Sequence, residues 1–326
     1  MKRIFSIVFL TAVALLTSCN KDIAPVIGSS SAMPIEVGAY NGMMTKAPVN
    51  GTVMPTGRTI VYSAYYNAVE GSSGNFFTGV NFTKKAGDNT LWTADKYWPL
   101  SGTLDFLGYC LDNNSRVSSV TWGTNNASSV TMTLANNSSN QDDLLVGGAS
   151  ALTKESNAVV FKHAETLLAF QAKSNIAYNA SSNYGITITD IKVNDSYHSG
   201  TVACTRTGGD IAFSWSSLGS KQNLTLPSMT STNLTASYAP INGTPGLILP
   251  PQQKTTVTMY YTLHNGKDGN GSNLNNAMQY TFDCGAGTWD AGKKYTYQIN
   301  ITLTGIEVSA SVTDWNAMPA ATIPIG

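Results

Sequence analysis

Hydrophobic residues in this chain recur at every second position rather than every third or fourth. Ile35, Val37 and Ala39 alternate with Glu36 and Gly38. The same period runs through Val130, Met132 and Leu134, through Ile211, Phe213 and Trp215, and through Val257, Met259, Tyr261 and Leu263. Its longest stretch is Tyr295, Tyr297, Ile299, Ile301 and Leu303; beyond Gly305 the phase flips and continues as Ile306, Val308, Ala310 and Val312. A helix needs a period near 3.6, whereas alternation builds strands with one dry and one wet face. The flip at Gly305 reads as a bulge or a switch between sheets. Turn-forming clusters separate the runs: 70–75, 85–89, 112–115, 136–140 and 265–271, all rich in Gly, Asn, Asp and Ser. Short strands divided in this way predict an all-β fold of sandwich type. The segment Lys162–Ala172, with Leu167, Leu168 and Phe170, fits either period and is read as strand.

The first residues follow a different rule. Lys2 and Arg3 precede an apolar stretch from Ile4 to Leu16, which closes on Leu16-Thr17-Ser18-Cys19. A basic start, an apolar run and small residues before a cut describe an export signal. A Cys directly after the small pair matches the bacterial lipobox, in which that Cys is acylated. Residues 1–18 are therefore expected to be a lipoprotein signal peptide, and Cys19 the lipid-bearing residue. The run is shorter than the ~20 residues that a membrane-spanning helix requires. Residues 19–32, polar and small, read as a tether. A polar stretch at Thr153–Asn157, followed by a new apolar run from Val159, suggests a division into sandwiches at 33–155 and 156–326, the second with a short tail.

Composition narrows the function. Nineteen basic and nineteen acidic residues give no net charge, and charged residues make up only 12% of the chain. No basic field is present to attract nucleic acid. Three cysteines remain beside Cys19, namely Cys110, Cys204 and Cys284, and an odd number argues against a disulfide framework. They read as small buried hydrophobes. Arginine is scarce: beyond the signal only Arg58, Arg116 and Arg206 occur.

Catalytic patterns are missing. His163, His198 and His264 are widely separated and have no partner at metal-ligand spacing. No nucleophile elbow or phosphate-cradling loop occurs. Asp142-Asp143 is the one adjacent acidic pair and reads as solvated surface. Asp268–Gly271 lacks the first and twelfth ligands of a calcium loop, which here are Gly266 and Ala277. No catalytic residue, metal site or cofactor is expected. Trp92, Tyr97, Trp98, Trp122, Trp215, Trp289 and Trp315 could form a sugar-stacking platform or fill cores, and the second use is the commoner in sandwiches.

Several short segments together resemble a known family. They are the lipobox at Cys19, the strand Pro34–Val37 followed by Thr45-Lys46-Ala47, and Tyr97-Trp98-Pro99 with Leu104–Tyr109. Further along come Asp142–Val146, Val160–His163, Trp289–Gly292 with Tyr295-Thr296-Tyr297, and the closing Val312–Trp315. In order and spacing they resemble the fimbrillin-like lipoproteins of Bacteroidales, the type V pilins and their accessory subunits. The resemblance implies two transthyretin-like sandwiches in tandem. It also implies an outer-membrane lipoprotein, cut by an Arg-specific protease in a loop after the first strand, and polymerisation by donor-strand exchange. The expected cut is at Arg58, within Met54–Thr59; the side chains withdrawn are Ile35, Val37 and Ala39; and the tail, through Met318, Ile323 and Ile325, is a candidate donor in spite of Pro319 and Pro324. The partners so implied are other fimbrial subunits, the outer membrane through the lipid, and a ligand on a host or bacterial surface. The rival expectation is a glycan-binding surface lipoprotein of a nutrient-uptake system.

Overall fold

The computed structural model describes residues 33–41, 52–54, 57–88, 90–111, 116–135, 142–174, 184–227, 229, 232–241, 246–265, 274, 277–302 and 304–315. Every regular element among them is a strand. The first ten are β1 (Pro34–Asn41), β2 (Thr52–Val53), β3 (Thr59–Asn67), β4 (Gly74–Lys84), β5 (Leu91–Tyr97), β6 (Thr103–Leu111), β7 (Val117–Trp122), β8 (Ser129–Leu134), β9 (Leu145–Leu152) and β10 (Ala158–His163). Then follow β11 (Thr166–Ser174), β12 (Tyr184–Ser196), β13 (Gly200–Thr207), β14 (Asp210–Ser216), β15 (Gln222–Thr225), β16 (Thr232–Asn233), β17 (Ala239–Pro240) and β18 (Leu247–Leu249). The last are β19 (Gln252–Gln253), β20 (Thr256–Asn265), β21 (Met278–Asp283), β22 (Thr288–Trp289), β23 (Lys293–Ile301) and β24 (Ile306–Asp314).

The first sandwich is built around a sheet that closes on itself. Its order is β10-β9-β6-β3-β4-β5-β1-β2, and β1 also pairs with β10, which joins the two ends. Inside lies a core of Ile35, Val37, Ile60, Tyr62, Phe77, Phe82, Trp92, Phe106, Val159 and Phe161. Tyr62 meets Phe82 and Phe106 edge-on, with centroids 5.1 and 5.5 Å apart, the arrangement that ring quadrupoles favour. The outer face of the same strands carries a second core. Val61, Leu107, Tyr109, Leu111 and Val146 point outward and are covered by the four-stranded sheet β14-β13-β8-β7 through Val130, Met132, Val202 and Cys204. β6 is thus buried on both faces, which explains its nearly unbroken apolar sequence, Leu104–Leu111.

The second sandwich packs two five-stranded sheets face to face. One holds β17-β11-β23-β24 with β18 beside β11; the other holds β15-β12-β20-β21 with β16 beside β12. Leu168, Phe170, Ile186, Ile188, Met259, Trp289, Tyr297 and Ile299 form the core between them. The all-β, sandwich-type fold expected from the alternation is present, and Lys162–Ala172 is strand, as read.

Two local expectations are corrected. The phase flip at Gly305 is neither a bulge nor a sheet switch: β23 and β24 form an antiparallel hairpin with Ile301 opposite Ile306, and Gly305 sits in its turn. A reversal of direction changes phase as readily as a bulge does. Asp142 and Asp143 are not solvated; Asp142 is buried and Asp143 pairs with His163. The division expected at 155/156 falls in the turn Thr153–Ser156 between β9 and β10, two strands of the one closed sheet. Sheet membership changes after His163, and β13 and β14 return to cover the first sandwich. Alternation marks a strand but does not name its neighbour.

Candidate functional site: the closing strand

β1 is held on both edges. From Pro34 to Gly38 it runs antiparallel to β5, with Val37 opposite Trp92; from Gly38 to Asn41 it runs parallel to β10, with Ala39 opposite Val159. Ile35, Val37 and Ala39 are completely buried. Polar groups fasten the strand further. The Thr93 hydroxyl donates to the Ile35 carbonyl at 3.0 Å. The Asn157 side-chain amide donates to the Glu36 carbonyl at 2.8 Å, and Gly38 N–H donates to the Asn157 carbonyl at 3.0 Å. On the outward face Glu36 pairs with Lys85 at 2.6 Å. The expected displaced strand is therefore not an edge strand. It is the strand that closes the sheet, and its removal opens two edges, β5 and β10, together with the core between them.

A buried large apolar side chain is worth about 1.5–3 kcal/mol, and a backbone hydrogen bond about 1 kcal/mol net. The vacated slot is correspondingly sticky: apolar, two-edged, and able to take only an extended segment with alternating apolar side chains.

Arg58 is half-buried and lies immediately before β3, after Gly57 at φ +93°. It stands outside the ladder, although the next residue, Thr59, pairs with Leu111. A protease taking Met54–Arg58 on one side of the bond requires Met54 to leave the first core, where it is buried, and Thr59 to fray on the other side. Arg116 forms a two-pronged pair with Glu165 at 2.8 and 2.6 Å and also donates to the Asp142 carbonyl at 2.8 Å, with both side chains buried. Arg206 reaches Asp105 at 2.8 Å and the Ala127 carbonyl at 2.6 Å. Of the remaining expected residues, Cys19, Met318, Ile323 and Ile325 lie outside the described residues.

Four of the segments that carry the family resemblance, at Asp143, His163, Trp289–Tyr295 and Trp315, meet at the joint between the sandwiches. Asp143 pairs with His163 at 2.8 Å. The His163 ring stacks on Trp315 with centroids 3.8 Å apart and planes 8° from parallel. Trp315 N–H donates to the Gly292 carbonyl, and Gly292 N–H donates to the Glu165 carbonyl. The turn Trp289–Gly292 is thereby docked on the link between β10 and β11, and the Tyr295 hydroxyl accepts from Asp290 N–H. β24 ends at this clasp.

β24 holds a feature that reading strand by strand misses. Ile306-Glu307-Val308-Ser309-Ala310 repeats Ile35-Glu36-Val37-Gly38-Ala39, with Ser309 for Gly38 as the one difference. The two copies sit in opposite circumstances. Among the described residues β24 is an outer strand, bonded to β23 on one edge; Ile306 and Val308 are half-buried, and Ala310 and Val312 are exposed. The repeat was visible in the chain all along, but it acquires meaning only once one copy is seen enclosed and the other at an edge.

The aromatic residues do not form a sugar platform. Trp92 and Trp289 are fully buried, Trp98, Trp122 and Trp215 pack against cores, and no tryptophan is among the exposed large apolar side chains of the described residues. Among the described residues Cys110, Cys204 and Cys284 are buried, one in each core, and form no disulfide. Burial pushes the Cys204 thiol up to about 12 and that of Cys284 to about 11, so neither is a thiolate nucleophile near neutrality. Among the described residues no group of three His, Cys, Asp or Glu side chains is placed to hold a metal ion.

These features define an all-β protein of two linked sandwiches whose most distinctive element is a doubly bonded first strand. A family model described as fimbrillin-like matches residues 45–315, and the chain belongs to that family. Solved structures share the fold. A fimbrial protein from Bacteroides vulgatus superposes with a TM-score of 0.57 at 17% identity, covering 86% of this chain and 99% of that one. A candidate cell adhesion protein from Bacteroides ovatus gives 0.53 at 13% identity, covering 89% and 100%. Among curated proteins, none matches by sequence.

Proposed function

We propose that the chain is a non-enzymatic structural subunit of a surface fimbrium. It is delivered as an outer-membrane lipoprotein acylated at Cys19 and assembled by exchange of strand β1. The observation that carries this reading is the slot: β1 is bonded on both edges and buries Ile35, Val37 and Ala39, and its covalent link onward to β3 runs through Arg58. Cleavage after Arg58 severs β1 from β3 and leaves it held by non-covalent contacts alone. Loss of β1 then opens a groove that another subunit fills. Arg58 stands just ahead of the β3 ladder, whereas Arg206 is paired with Ile211 inside a ladder and Arg116 is buried, so the cut is expected at Arg58. The working division of the chain, in this reading, lies after His163, with β13 and β14 belonging to the first unit.

The segment Ile306–Ala310 supports one source for the incoming strand. Its Ile, Val and Ala match the three side chains that the slot buries, with Ser309 in the place of Gly38, and it starts from a place where it is bonded on one edge and partly wet. Moving from an exposed edge to a two-edged, enclosed slot gains burial and pairing together. Adhesion to a host or bacterial surface follows from the fimbrial role; no side-by-side aromatic platform favours the glycan-uptake alternative.

The test uses the full mature chain, an Arg-specific protease and gels run without boiling. Cleavage at Arg58 alone, followed by a ladder of heat-sensitive multimers, is the expected result, with Arg58→Ala abolishing both. Cleavage first at Arg116 or Arg206, or complete resistance of the folded chain at Arg58, overturns it.

A further inference from the structure

Most of the exposed apolar surface is gathered at one end of the first sandwich. Six large apolar side chains stand exposed among the described residues: Met33, Val69, Tyr97, Leu100, Leu274 and Val312. The first four belong to three adjoining segments. Met33 precedes β1, and its carbonyl accepts from Trp98 N–H at 2.9 Å. Pro34, the first residue of β1, pairs with Tyr97, the last of β5. Val69 is in the turn from β3 to β4, and Leu100 in the turn from β5 to β6. The two turns touch: a Cβ on Gly102 would come within 2.4 Å of the Asn67 carbonyl and 2.7 Å of the Tyr66 ring. Behind these tips, Trp98 packs on Phe106 and Tyr66 on Phe76. Val69 and Leu100 are each 75% exposed, so they contribute little to the sandwich's own core. Single exposed apolar residues are ordinary, but a cluster on neighbouring turns marks a surface that meets something apolar.

The route of the chain says what that is. β1 begins at this end, so the tether from Cys19 arrives here, and its 14 residues, 19–32, reach at most about 50 Å. The opposite end of the same strands carries Thr59 opposite Leu111, and His163 with the β24 clasp. The aromatic pair Tyr97-Trp98 suits a boundary with one dry and one wet side. Charges nearby come in both signs, Glu70, Lys96, Lys154 and Glu155, the last two paired at 3.5 Å, so no anionic surface is selected.

We infer that this end is a membrane foot: Met33, Val69, Tyr97 and Leu100 enter the interfacial layer of a zwitterionic bilayer. The foot holds the anchored precursor with Arg58 and β24 turned away from the lipid. The inference takes its tether from the acylation of Cys19 proposed above, but the foot is testable without it.

Two measurements decide. The mature chain carrying Cys19→Ala is floated with phosphatidylcholine vesicles. It is expected to bind in a salt-insensitive way, to lose about tenfold or more of its partitioning with Val69→Asp and Leu100→Asp together, and to be unaffected by Val312→Asp. An environment-sensitive dye placed through Leu100→Cys in the lipidated chain is expected to shift to the blue on the same vesicles, and one placed through Val312→Cys is not. Absence of flotation, with both dyes equally wet, overturns the foot. So does a blue shift at position 100 that appears without vesicles and grows with protein concentration, because a second copy then covers this end. Fatty-acid labelling separates the two readings: no label at Cys19 with flotation intact removes the anchor and leaves the foot.

Discussion

The two sandwiches treat nearly the same five residues in opposite ways. In the first, Ile35-Glu36-Val37-Gly38-Ala39 is enclosed, bonded on both edges, and its three apolar side chains have no contact with water. In the second, Ile306-Glu307-Val308-Ser309-Ala310 lies on an outer strand with one bonded edge and exposure increasing toward Val312. Local sequence therefore does not set the fate of a strand; the edges offered to it do. The first sandwich offers β5 and β10 together, and the second offers only β23. A strand on one edge holds its place weakly, while a slot between two edges takes up a matching strand strongly.

The joint between the regions should be the most sensitive point. Arg116→Met leaves Glu165 charged and buried without its partner, and is expected to destabilise the fold by about 3–5 kcal/mol. Arg116→Met with Glu165→Leu should recover much of that loss, since a buried ion pair is often replaceable by apolar side chains. Urea unfolding followed at both sandwiches reads the result; single and double variants of equal stability would show that the pair does not brace the joint.

Truncations in the two copies of the repeat measure the comparison itself. Ile35→Ala removes a fully buried side chain and should cost about 2–5 kcal/mol. Ile306→Ala, in a half-buried setting, should cost less than half as much in the same urea titration. Equal losses would mean that β24 is as firmly seated as β1, and the contrast would fail.

Much of this fold was legible from alternation alone, because one buried face per strand imposes period two. What alternation could not supply was partnership. β13 and β14 have the pattern of any sandwich strand, yet they cover strands from the first half of the chain, and only three-dimensional packing of Val202 and Cys204 against Leu107 and Val146 shows it. Asp143 looked like a loop carboxylate because its partner His163 lies 20 residues away, and the burial of Asp142, whose main-chain carbonyl accepts from Arg116 26 residues off, is equally non-local. A strand from Pro34 was identifiable from the chain, but the closure of the sheet by β1 was not: parallel pairing with β10, more than a hundred residues downstream, leaves no local mark. The repeat of Ile35–Ala39 at Ile306–Ala310 is the reverse case, plain in the letters and uninformative until both strands have a place.

The central claim is that the slot of β1 accepts the strand that β24 carries. It is tested by cutting the folded chain at Arg58 and adding a labelled peptide spanning Gly305–Asp314. The account predicts saturable capture of the peptide with release of β1, and no capture of a peptide carrying Val308→Asp. Retention of β1 with no peptide taken up, or equal capture of both peptides, would contradict it.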